Sequence, residues 1–168
     1  MWSGIHPASG LSERRVEQVS EQELHTVAVF QDAAGADAAL AALTRAGFPL
    51  AALSAVAVSS DAVAGLLRRV FGAEPVSLAI PGLGDVLAGG DVVVRLQGED
   101  SGLGSRGMVA TATRLGFQPG DGRIYEALLS RGGMLVAVRS TSRAADALAV
   151  LHAYGGGNAA IGAWAGRL

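Results

Sequence analysis

Seven polar side chains are the candidate contacts of this chain: Arg68, Arg69, Arg106, Arg114, Tyr125, Glu126 and Arg131. Arg68, Arg69, Arg106 and Arg114 carry planar forks of N–H donors, the geometry that captures a carboxylate or phosphate through paired hydrogen bonds. All 13 cationic residues are arginine and none is lysine. That usage reads either as the codon bias of a GC-rich bacterium or as a set of anion contacts. Tyr125, Glu126 and Arg131 fall on one helical stretch, where they either fix the helix against a sheet or recognise a ligand.

Other chemistry has no foothold. With 0 Cys there is no disulfide, thiolate nucleophile or cysteine metal site. His6, His25 and His152 show no metal-ligand spacing, and His152 suits a helix C-terminus better than catalysis. No nucleophile elbow, Ser-His-Asp order or close acid pair is visible. Gly82, Gly84, Gly89 and Gly90 match neither a dinucleotide fingerprint nor a Walker A loop, which needs a lysine. Catalytic, cofactor-binding and metal-ligating residues are therefore assigned as none, and the chain is expected not to be an enzyme. A net charge of -2 and a pI near 5.9 argue against a nucleic-acid partner, which a basic face would mark.

The elements that must position these residues come from an internal repeat. Thr26 to Val58 and Met134 to Gly166 each read as strand, helix, strand. Val27-Ala28-Val29-Phe30 opens the first copy and Val136-Ala137-Val138-Arg139 the second. Asp37 aligns with Asp146; Leu40, Leu43 and Gly47 align with Leu148, Leu151 and Gly155 at an offset one shorter, as a single-residue slip requires. Two such units side by side make a ferredoxin-like split βαβ sandwich of the α+β class. The chain is 50% hydrophobic but only 5% aromatic, so its core is expected to be built mainly from Ala, Val and Leu. Asp32 is expected to cap the first repeat helix and one of Ser140, Thr141 and Ser142 the second. Gly47 and the run Gly155-Gly156-Gly157 are expected to end them.

Residues 1–24, charged from Glu13 to Glu23, read as a flexible N-terminal arm with Trp2 and Ile5 as its apolar anchors. Residues 25–168 read as one domain interrupted by an insertion at 60–131, too long for a passive loop. The insertion is expected to be mostly helical: one helix from Ser60-Asp61 to Phe71, one from Ser105 to Leu115, one from Asp121 to Ser130. Ile80-Pro81-Gly82-Leu83-Gly84 interrupts it, and 91–96 fits helix and strand equally. No secretory signal or run of about 18 uncharged apolar residues is present, so the chain is expected to be cytoplasmic with no transmembrane segment.

Gly116-Phe117-Gln118-Pro119, then Arg123-Ile124-Tyr125-Glu126-Ala127-Leu128-Leu129-Ser130-Arg131-Gly132-Gly133 leading into Leu135-Val136-Ala137-Val138, together with Ile80 to Gly84, resembles the bacterial general stress protein or heat-induced stress protein family. The likeness covers about residues 26–161, leaves out the arm, and departs from the family pattern at 91–104. It implies stress-associated expression, no established enzymatic activity and no catalytic residues.

The expected function is a non-enzymatic bacterial stress-response protein acting by self-association, a dimer being favoured, or through a protein partner. An open sheet face, covered by the insertion or by a second subunit, supplies the surface. Two alternatives stand beside it. One is a small-ligand sensor similar to the PII signal-transduction proteins, with Arg68, Arg69, Arg106 and Arg114 on a nucleotide or anion. The other is peripheral membrane contact through residues 63–71, with Arg68-Arg69 at the headgroups. No cofactor is expected.

Overall fold

The computed structural model describes residues 24–91, 102–114, 119–140, 142–156 and 163–167. Among the described residues six strands and five α-helices follow in this order: β1 (Leu24–Phe30), α1 (Ala33–Arg45), β2 (Leu53–Val58), α2 (Asp61–Phe71), β3 (Val76–Ile80), β4 (Gly84–Gly89), α3 (Gly102–Arg114), α4 (Pro119–Ser130), β5 (Met134–Ser140), α5 (Ala144–Ala153) and β6 (Ala163–Arg167). Leu24, assigned to the arm by sequence, opens β1; residues 1–23 lie outside the described residues, as do 92–96 of the stretch left ambiguous.

Local chemistry sets the helix ends. Asp32 Oδ1 accepts from the Gly35 amide at 2.8 Å, and Ser60 Oγ accepts from Val63 at 3.1 Å; each satisfies a donor that the first helical turn leaves unpaired. The expected Ser/Thr cap of α5 is not used: its N-cap is Arg143, with no side-chain capping bond. α1 and α5 end alike. Gly47 (φ 92) and Gly155 (φ 88) take the left-handed conformation, and the following amides, Phe48 and Gly156, donate back to Leu43 O at 3.1 Å and Leu151 O at 2.8 Å. This doubly bonded end needs a residue without a Cβ penalty at positive φ.

The strands form one six-stranded sheet in the order β3-β4-β2-β5-β1-β6. Every pairing is antiparallel. β5 lies at the centre, with Val136 opposite Ala28 of β1 and Ala55 of β2. Because side chains alternate across a strand, the register sorts them into two cores. Ala28, Phe30, Leu53, Ala55, Met134, Val136 and Val138 face α1, α2 and α5, meeting Leu40, Leu43, Leu67 and Leu151. Val27, Val29, Val56, Val86, Leu135 and Ala137 face the other way, meeting Met108 of α3 and Tyr125 and Leu129 of α4.

The sheet is thus covered on both faces, and the second cover is the insertion itself. Of the two ways to bury the open face, the chain takes the intramolecular one, so this face is not an interface for a second subunit. Alongside its three helices the insertion contributes the β3–β4 hairpin. Pro81-Gly82-Leu83 connects the two strands, with Leu83 N donating to Ile80 O at 3.0 Å. What the sequence presented as an interruption is the turn, and Val76-Ser77-Leu78-Ala79-Ile80 before it alternates at the strand period of two.

Candidate functional site

α2 is amphipathic: Val63, Leu66 and Leu67 are buried against the sheet. That apolar face is spent on the core, which removes it as a membrane-contacting surface. Arg68 and Arg69, in the last turn, point to solvent. Arg68 Nε pairs with Glu74 Oε1 at 2.8 Å, and Arg69 Nη2 pairs with Asp37 Oδ2 of α1 at 2.8 Å. The Arg69 pKa is raised by the Asp37 hydrogen bond first and its charge second, which leaves the guanidinium firmly cationic.

The Arg69–Asp37 pair bridges α1 and α2 over a shallow groove of about 380 Å³. Leu40, Ala41, Thr44, Leu50 and Val70 line it, with Arg45 and Arg69 at the rim. Leu50 is 44% exposed. Arg45 Nη2 also donates to Tyr154 Oη at 3.4 Å. Asp37 lines the groove as well and is already paired with Arg69, so its charged residues are of both signs over an apolar lining.

Arg106 stands exposed on α3, in the opposite helical layer from Arg68 and Arg69. The sheet therefore separates it from that pair, and the three do not converge within one chain. Arg114 closes α3, but its side chain lies outside the described residues. Tyr125 is 4% exposed and forms part of the second core, the packing role rather than the recognition role. Arg131, just beyond α4, is exposed.

Glu126 is half-buried and faces the hairpin turn: a Cβ on Gly82 would come within 3.1 Å of Glu126 Oε1. On the other side of that turn, Pro81 O lies 3.1 Å from where a Cβ on Gly107 would sit. Gly107 breaks α3 with non-helical angles (φ 89, ψ -179). The Ile80–Gly84 turn and the Tyr125-Glu126 helix, read separately in the sequence, are neighbours.

A polar cluster missed by sequence reasoning closes one end of the sheet. Arg139 of β5 pairs with Asp91 Oδ2 at 2.9 Å through Nη1 and donates to Ala51 O at 3.1 Å through Nη2. Ser54 Oγ, almost fully buried, donates to Asp91 Oδ1 at 3.3 Å and accepts from the Asp91 amide at 3.1 Å. These bonds latch the end of β4 to β2 and β5, and the only available signal was an arginine ending an otherwise apolar strand. Arg143, too, has a packing job: it stacks 4.2 Å above the Phe48 ring and donates to Ala46 O at 3.0 Å, tying α5 to the end of α1.

Among the described residues the sheet ends at β3 on one side and β6 on the other. β3 is a sheet edge, and among the described residues its outer side has no strand partner. It holds 5 residues, Val-Ser-Leu-Ala-Ile, none charged, and Val76 is 55% exposed. Its register to β4 runs one-to-one from Val76↔Ala88 to Ile80↔Gly84 without a bulge. Of the devices that keep an edge from pairing with another chain, β3 has no charged side chain and no bulge; it is short and flanked by Pro75 and Pro81. No group of metal-ligating side chains occurs among the described residues, and no helix among them is long and apolar enough to cross a membrane.

The chain matches no family model, no curated protein and no solved structure.

Proposed function

We propose that this chain is a cytoplasmic, non-enzymatic bacterial stress-response protein that works by self-association or by holding a protein partner, on a ferredoxin-like scaffold of duplicated βαβ units. The observation that carries the association half is the uncharged, unbulged outer edge of β3 with Val76 exposed. Backbone N–H and C=O groups on such an edge are already oriented to accept another strand. The stress-response half rests on the resemblance. The contact between the Ile80–Gly84 turn and Glu126 supports reading its separate motif pieces as one structural unit.

The scaffold reading draws on the strand order β2-β5-β1-β6, with each helix α1 and α5 joining two strands of that set. The matching ends of α1 and α5, at Leu43, Gly47 and Leu151, Gly155, add the residue-level correspondence that a duplication requires.

A ligand-sensing reading is kept for one observation, the α1–α2 groove with Arg45 and Arg69 at its lip. Native mass spectrometry of gently purified protein separates the two. The association reading expects an oligomer or a protein complex whose mass is accounted for by polypeptide alone. A reproducible small added mass, lost on Arg45→Ala with Arg69→Ala, would transfer the function to the groove.

A further inference from the structure

We propose that the β3 edge is the interface of a two-fold homodimer, in which β3 pairs antiparallel with the β3 of a second copy and joins two six-stranded sheets into one. The inference rests on the self-association reading above and names its surface and partner.

The argument is the symmetry of the strand itself. A two-fold axis through Leu78 sets Leu78 opposite its own copy, Val76 opposite Ile80 and Ser77 opposite Ala79 of the second chain. An isologous interface requires such self-complementarity, and here Leu78–Leu78 and Val76–Ile80 join apolar residues while Ser77–Ala79 joins two small ones. No charge is carried into the seam, since β3 has none. The pairing is also consistent by face. Leu78 pairs with Val86 and Val76 with Ala88, and Val86, Ala88 and Ile80 belong to the core under α3 and α4, with Leu78 packed against it. Val76, Leu78 and Ile80 therefore lie on one side of the strand, and dimerisation would run that apolar row across the seam. Ser77 and Ala79 form the other, smaller-residue side, both exposed. Pro75 and Pro81 bracket the strand. Proline lacks the N–H a ladder needs, so pairing is confined to this strand, and the two-fold axis closes the assembly as a dimer.

An edge of 5 residues makes an interface below the standard size, so the dimer is reversible. Sedimentation velocity and native mass spectrometry over a wide concentration series should show a monomer–dimer equilibrium for the wild-type chain. Leu78→Lys places like charges opposite each other across the axis, a destabilising pair, and should weaken the dimer at least about tenfold. Val76→Lys changes an exposed position, so it keeps the fold and still charges the seam; circular dichroism checks both variants. The chain has no cysteine, so Leu78→Cys introduces a lone thiol. Opposed Cβ atoms about 4.5–5.5 Å apart lie near the reach of a disulfide. Mild oxidation should cross-link Leu78→Cys into a covalent dimer and leave Ala145→Cys, exposed on α5, monomeric. A dimer that persists in both lysine variants overturns the β3 interface and leaves self-association standing. A chain monomeric throughout the series overturns both.

Discussion

Leu129→Ala tests whether the insertion is a structural half of the domain or a loosely docked cover. Leu129 of α4 is 0% exposed and packs with Tyr125, Val27, Val29 and Leu135 in the core beneath the insertion. The substitution removes carbon worth about 0.8 kcal/mol per methylene and leaves a cavity that rigid strand neighbours do not fill, which brings the cost to about 3 kcal/mol. For a domain of this size each kcal/mol lowers Tm by roughly 2–4 °C, so a fall of roughly 6–12 °C is expected. Leu40→Ala is the internal standard: Leu40 is 1% exposed in the core of the opposite face and should cost about the same by the same cavity argument. The assay is thermal and urea melting followed by far-ultraviolet circular dichroism and by Trp fluorescence. If both layers belong to one cooperative unit, the two variants shift one shared transition equally. A Leu129→Ala protein whose main transition is unmoved, or whose melt splits in two while Leu40→Ala stays single, would refute the assignment of α3 and α4 as the second wall of the sheet.

Val136→Asp, at the fully buried centre of β5, should prevent folding by burying an unpaired carboxylate, seen as loss of the cooperative melt; a native melt would contradict the core assignment. Gly82→Ala should cost about 1 kcal/mol or slightly more, since Gly82 sits at φ 87 and its new methyl would meet the movable Glu126 carboxylate. Gly133→Ala should be much worse and give little folded protein on expression, because its Cβ would lie 2.6 Å from Phe30 O and 2.7 Å from Leu128 O, both backbone. Asp91→Ala should lower stability by about 1 kcal/mol, discounted for partial exposure, through loss of its bonds to Arg139 and Ser54; an unchanged urea midpoint would show that the latch contributes nothing.

What was legible in the sequence was local. Asp32 and Ser60 cap helices through bonds to residues three positions on, and Gly47 and Gly155 end theirs within one turn. The apolar spacing of Leu40, Leu43 and Leu151 placed the helix faces correctly. What was missed depends on partners far along the chain. Asp91 meets Ser54 and Arg139 only because β4 pairs with β2 and β2 with β5, and no window of sequence holds all three. The hairpin was hidden by its own turn, since Pro81-Gly82 reads equally as a break between helices. Covering of the second face was undecidable for the same reason: Val27, Val29 and Leu135 require an apolar neighbour but do not say whether it belongs to the same chain. The arginines are not one cluster within a single chain, because α2 and α3, which carry Arg69 and Arg106, lie in different layers.

The position of β5 has a consequence for synthesis. β1 and β2 leave the ribosome early, yet they do not touch as neighbours in the sheet; the slot between them is filled by Met134–Ser140. Until that segment emerges, the first half of the chain carries two apolar strands with facing edges unpaired, and neither core can close. Pairings so distant in sequence fold slowly and leave such edges open to intermolecular pairing. Arrival of Met134–Ser140 is therefore the committing event, and anything that delays it lengthens the period in which the nascent chain is open to aggregation.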